Sequence, residues 1–213
     1  MELIFFDLEN IQQELEYLPP LHRLSFAASI CERLLPNYLA YHRTEEWGIN
    51  DPPNPNNLRI VLDEIWQVVK GEILNVQDIE RLLNSCEVML LDGDSATSRY
   101  YTEAINAINA LCDTLKACLN PTPENIIQVV KSVELTIADF ITCEEESVDP
   151  SWGERALKDI HDELANHPFT IRERTKQNED LQRLKEVETL DRDFLEWLRT
   201  SFDNAGRSLI DLS

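Results

Sequence analysis

The sequence predicts an all-α fold, an irregular bundle of seven to eight helices forming one domain over residues 1–213. Three observations predict it. Glycine occurs only five times, too few for the tight turns that a strand-rich chain requires. Apolar residues recur at spacings of three and four along most of the chain, which is the period of a helix with one buried face. Proline clusters punctuate those stretches at Pro19-Pro20, Asn120-Pro121-Thr122-Pro123 and His167-Pro168, where they stop one helix and suit the first turn of the next.

Taken in order, Asp7 to Leu18 reads as a short helix with Leu8, Ile11, Leu15 and Leu18 on one face. A longer helix follows to about Thr44, with Leu24, Ala28, Cys31, Leu35, Tyr38 and His42 on its buried side. Pro36 lies inside this pattern. It has no N–H to donate to the residue four back, so a kink or break is expected at Leu35. The segment Trp47 to Asn57 is dense in turn formers and reads as a loop. Leu58, Val61, Leu62, Ile65, Trp66 and Val69 mark a third helix, ending at Gly71. Val76 to Leu91 is a fourth, and Tyr100 to Leu119 an alanine-rich fifth.

Thr122 is a good N-cap with Pro123 at the first helical position. Ile126, Val130, Val133, Ile137 and Phe140 then form an apolar seam. Glu144 to Pro150 reads as an acidic connector, and Trp152 to Leu164 as another helix. The last long helix is expected from about Arg172 to Phe202, with a mixed-charge outer face from Arg174 to Arg192. Gly206 closes it and leaves the apolar tail Leu209 to Leu212.

Nineteen basic side chains face 40 acidic ones, a net charge of -21. Residues 1–70, 71–140 and 141–213 carry nets of -6, -7 and -8, so the excess is not confined to a tail. The richest window, 82–154, has 13 acidic against three basic groups. Such a surface repels phosphate backbones and anionic lipid, which excludes nucleic-acid and membrane-surface binding through a basic face. No apolar run approaches the roughly 20 residues needed to span a bilayer, and the N-terminus lacks the basic and apolar regions of a signal peptide. Five cysteines without a Cys-x-x-Cys pair suggest neither zinc nor a dithiol, and fit a reducing cytoplasm.

Chemistry is hard to place. Asp92, Asp94 and Glu103 have part of the spacing of a calcium loop, but Ala96 and Thr97 stand where a ligand and a glycine are required. No histidine has a glutamate three residues earlier, so a bundle metal site is not expected, and no cofactor fingerprint occurs. Cys31 lies in an apolar stripe rather than an electropositive setting. The remaining candidate is a pocket or interaction site at the Pro36 bend, using Glu32, Arg33, Asn37, Tyr38, Asp63 and Trp66. Asp63 and Glu64 are placed to pair with Arg33 from the next helix.

Several segments resemble one bacterial family. Cys31-Glu32-Arg33 followed by Pro36-Asn37-Tyr38 is similar to the N-terminal signature of the YjaG-like proteins, a domain of unknown function. Leu62 to Trp66, the alanine-rich stretch Ala104 to Leu111, and Ser132 to Ile141 resemble its later helices. Gly206-Arg207-Ser208 with Leu209-Ile210 resembles its ending, although Leu209 and Asp211 replace an asparagine and a glycine. The resemblance implies an all-helical cytoplasmic domain and brings no activity with it.

The leading expectation is a non-enzymatic interaction protein that binds a basic protein through its acidic surface, in one form an immunity-type inhibitor. The alternative is an enzyme or small-ligand-binding domain with its pocket at Pro36. A homodimer through Trp47 or the apolar tail is a third.

Overall fold

A computed structural model describes residues 5–45, 53–89 and 99–213. They form nine α-helices and one 3-10 turn, with no strand among the described residues. The helices are α1 (Leu8–Glu16), α2 (Pro20–Thr44), α3 (Asn56–Val69), α4 (Val76–Glu87) and α5 (Tyr101–Leu119), then α6 (Pro123–Val148), α7 (Leu157–Asn166), α8 (Pro168–Glu186) and α9 (Arg192–Thr200). The 3-10 turn, Trp152–Glu154, stands between α6 and α7.

The helix starts follow local chemistry. Asp7 accepts from the Asn10 N–H at 3.1 Å, Thr122 from Asn125 at 3.3 Å, and Asp191 from Phe194 at 2.8 Å. Asn75 and Asp78 exchange side-chain and backbone bonds in a capping box that opens α4. Pro20, Pro123 and Pro168 each occupy the first turn of a helix, where a missing N–H has no cost. Gly71 ends the α3 segment with φ +105, a conformation that side chains resist.

Helix α2 is the axis of the molecule. It packs most extensively on α5, which packs equally on α6, and α2 also touches α3, α6, α8 and α9. The core runs continuously through these contacts, from Phe26, Ile30 and Leu34 to Leu62, Trp66, Leu111, Val133 and Ile137. Contact on so many sides explains why α2 buries residues all round rather than along one stripe.

Four expectations need correction. Of the kink or break expected at Pro36, the break does not occur: α2 continues through it from Pro20 to Thr44; packing on both sides of the proline holds the helix together, and Asn37, Tyr38 and Tyr41 are all buried. The acidic connector does not begin at Glu144, because α6 continues to Val148. The final helix is two helices, α8 and α9, so the count among the described residues is nine rather than seven or eight. The apolar tail is not free for a partner: Leu209 and Ile210 are buried within the chain itself. Trp47 and the calcium-like residues 92–97 lie outside the described residues.

The buried polar pair on α5 and α6 supplies a pH prediction. Glu103 is 3% exposed and its Oε2 has no hydrogen-bond partner. Burial pushes its carboxyl up to about 7, and the nearby Asp139 adds repulsion. Burial raises Asp139 as well, with the Asn106 amide nearby pulling the other way. Because the folded state holds these protons more tightly than the unfolded chain, stability is fully present below pH ~4. It is lost as pH rises through about 7. Urea denaturation at pH 5, 7 and 8 should show that decline, and Glu103→Gln should flatten it, gaining about 1–3 kcal/mol at pH 8.

Candidate functional site

The six sequence candidates separate into three sets around the middle of α2. Glu32, Asp63 and Trp66 come together on the side facing α3 and α9. Arg59 donates to both Glu32 oxygens at 2.5 and 2.8 Å and reaches Asp63 one turn along α3 at 2.9 Å. Arg199 of α9 completes the group, with Nε 2.9 Å from Glu32 and Nη2 2.5 Å from Asp63. Trp66 donates its indole N–H to Glu32 at 2.8 Å. The Glu32 carboxylate thus accepts three hydrogen bonds, two of them on Oε1, and Arg199 adds an ion pair to Oε1. A carboxylate held between two guanidinium groups is a poor general base.

Arg33 points to the opposite side, into α8. Its guanidinium makes a bidentate contact with Glu173 (2.9 Å from Nε, 2.8 Å from Nη2) and reaches Asp180 at 3.1 Å. Lys176 binds Asp180 at 2.7 Å, and Gln177 donates to Glu173 at 2.9 Å. Burial alone pulls the guanidinium's pKa down, but the two carboxylates more than compensate and raise it. The pairing of Arg33 with Asp63 or Glu64 expected from sequence is therefore replaced by a wholly different one. Lys176 and Asp180, read as part of an outer charged face, are inward and buried, as is Glu173.

Asn37 and Tyr38 do not join either ion network. Tyr38 donates to the Met89 carbonyl at 3.1 Å, and burial pushes its phenol well above the usual range. Asn37 is fully buried with neither polar side-chain atom paired, an arrangement that costs stability.

A cleft of about 280 Å³ lies beside the proline, lined by Glu32, Arg33, Leu35, Pro36 and Leu39 of α2, Arg59 of α3, and Arg199 to Arg207 of α9 and the segment after it. That segment is folded tightly: Ala205 and Gly206 both have positive φ, at 53 and 76. Ser208 accepts N–H bonds from Ile210 and Leu212, and Arg172 holds the Leu209 carbonyl and Asp211 at 2.7 and 2.8 Å. Pro36 leaves the Glu32 carbonyl without its usual donor, and one residue further the Leu209 N–H donates to the Arg33 carbonyl at 3.1 Å. The tail thus docks on α2 one residue beyond the carbonyl that the proline leaves unpaired.

The sequence signalled Arg59, four residues before Asp63, through helical spacing alone. Arg199 and Arg207 carried no such signal, being distant in the chain. Elsewhere, Cys31 donates to or accepts from Thr114 at 3.2 Å, and burial pushes its thiol up to about 12, so it is no nucleophile at neutral pH. The thiols of Cys86 and Cys112 are neighbours between α4 and α5. No cluster of three metal-ligating side chains occurs among the described residues. No helix among them is long and apolar enough to cross a membrane.

The helical architecture is that of a class of bacterial protein already grouped by sequence. The model of the family described as "Protein of unknown function (DUF416)" matches residues 10–213, and the chain belongs to this family. It is 26% identical over 208 residues to "Uncharacterized protein YjaG" of Salmonella typhimurium, covering 97% of this chain and 98% of that one. The Escherichia coli K12 protein of the same name is 27% identical over 207 residues, covering 96% and 97%. The crystal structure of a DUF416 family protein from Shewanella baltica superposes with a TM-score of 0.78 at 22% identity, covering 95% of this chain and 97% of that one. The fold is shared, and the resemblance noted from the sequence was to this family.

Proposed function

We propose that this protein is a binding module, not a catalyst, that docks a basic protein partner through its acidic surface. The observation that carries the reading is the end of α6. Glu144, Glu145 and Glu146 occupy its last turns with no basic residue among them, where the negative end of the helix dipole disfavours each carboxylate by about 0.3–1 kcal/mol. Glu144 pairs with Arg99. Asp149, Glu154 and Asp159 extend the acidic surface along the chain that follows, and Val148 and Leu157, 83% and 50% exposed, give it apolar contact points. A local arrangement that works against helix stability fits a surface kept for something else. Opposite fields speed association and select partners, and an immunity-type inhibitor of a basic toxin is one form such a protein takes.

Native affinity purification from the source cells, at low and at moderate salt, tests this directly. The expected result is a stoichiometric basic protein that leaves as salt rises. Combined Glu145→Lys, Glu154→Lys and Asp159→Lys should lower its recovery at least tenfold while leaving the helical content unchanged. Recovery without any basic partner, or with a partner indifferent to these reversals, would remove the reading.

A further inference from the structure

We infer that the cleft beside Pro36 is a binding site for a small organic anion, a carboxylate or phosphate carried on an apolar body. This site is separate from the acidic docking surface and does not depend on it. Four arginines, Arg33, Arg59, Arg199 and Arg207, line one cleft in a chain where acidic groups outnumber basic ones by 40 to 19. Chance placement on such a surface would favour carboxylates.

The one carboxylate in the lining, Glu32, is held by Arg59, Arg199 and Trp66, so its oxygens are already occupied. Arg33 is likewise satisfied by Glu173 and Asp180 and contributes shape rather than donors. Arg59 spends its donors on Glu32 and Asp63, so unspent donor capacity remains on Arg199 and Arg207. Arg199 uses Nε and Nη2 on Glu32 and Asp63, leaving Nη1 without a partner among the described residues. Arg207 is exposed and makes no ion pair among them. Two planar guanidinium groups with spare N–H bonds are the usual means of gripping a carboxylate or phosphate.

The rest of the lining is apolar. Leu35, Pro36 and Leu39 form one wall, and Phe202 another. Phe202 is fixed by guanidinium groups near its ring, Arg33 at 5.8 Å and Arg172 at 5.7 Å from the centroid. A volume of about 280 Å³ lies at the small end of ligand sites, which suits a metabolite-sized acid and is too small for a nucleotide or a peptide. Because Arg199 stands on α9 and Arg207 on the segment beyond it, a bound anion ties the end of the chain to α2 and α3.

Thermal unfolding and titration calorimetry of the full chain decide the matter, with benzoate, phenyl phosphate, the neutral benzamide and inorganic phosphate as probes. The expected result is a saturable rise in Tm with benzoate or phenyl phosphate and none with benzamide. Arg207→Ala, at an exposed position, should weaken that binding at least tenfold with an unchanged ligand-free Tm. Leu39→Glu, which adds a carboxylate to the wall, should abolish it. A response to inorganic phosphate alone overturns the apolar half of the assignment. No response to any anion, or one that survives Arg207→Ala and Leu39→Glu, overturns the site.

Discussion

Replacing Arg33 by methionine should destabilise the protein by about 3–5 kcal/mol, because it strands two buried carboxylates. Arg33 is 2% exposed and Glu173 and Asp180 are 0% exposed, so neither acid can recover its hydration when the guanidinium is lost. Lys176 still reaches Asp180, but Glu173 keeps only the amide of Gln177. At about 2–4 °C per kcal/mol for a chain of this size, Tm should fall by on the order of 10 °C. The companion experiment separates the cost of the vacancy from the worth of the pair. Combined Arg33→Met, Glu173→Leu and Asp180→Leu removes the charges together, and should restore most of the loss. Urea denaturation of the single and triple variants is the measurement. A triple variant no better than the single would mean that the network contributes net stability well beyond compensating itself. Added salt should change either result little, since the pair is shielded from solvent.

Trp66→Ala should cost a similar amount, about 3–5 kcal/mol, for a different reason. The indole is 1% exposed in the middle of the core, and alanine leaves a cavity that the surrounding helices can close only in part. Trp66→Phe keeps most of the volume but removes the N–H that Glu32 accepts at 2.8 Å. That variant should lose about 1.5–3 kcal/mol, the range for a hydrogen bond to a charged group. Near-equal losses for alanine and phenylalanine, again by urea denaturation, would show that the polar contact outweighs the packing. The comparison also reports on the cleft, because Trp66 and Arg199 hold Glu32 from two directions.

Local chemistry was legible in the sequence, and long-range pairing was not. Thr122-Pro123 read correctly as a cap and first turn because capping is decided within four residues. The end of α3 at Gly71 was readable for the same reason. The break between α8 and α9 was missed because Val187 to Leu190 contains neither glycine nor proline. Its signal was Asp191 three residues before Phe194, an N-cap inside what looked like one helix. At Pro36 the backbone rule held for the missing N–H but not for the course of the helix, which packing carried through. Of the six candidate residues, Glu32, Asp63 and Trp66 meet, Arg33 turns to α8, and Asn37 and Tyr38 lie in the interior. The inward face of α8 was misread because Lys176 and Asp180 carry the composition of a solvated surface. Only Arg33, 147 residues before Asp180 in the chain, explains why that face is buried.

That separation has a consequence for how the protein is made. A ribosome completes α2, with its Arg33, long before it supplies the carboxylates that neutralise it. Until α8 emerges, a nascent chain that closed its early helices tightly would seal a bare cation inside, so the first half must stay loosely collapsed and wet around residue 33. The Leu209 N–H that caps the Arg33 carbonyl arrives later still. Vectorial synthesis therefore delivers the centre of this molecule first and its permission to fold last.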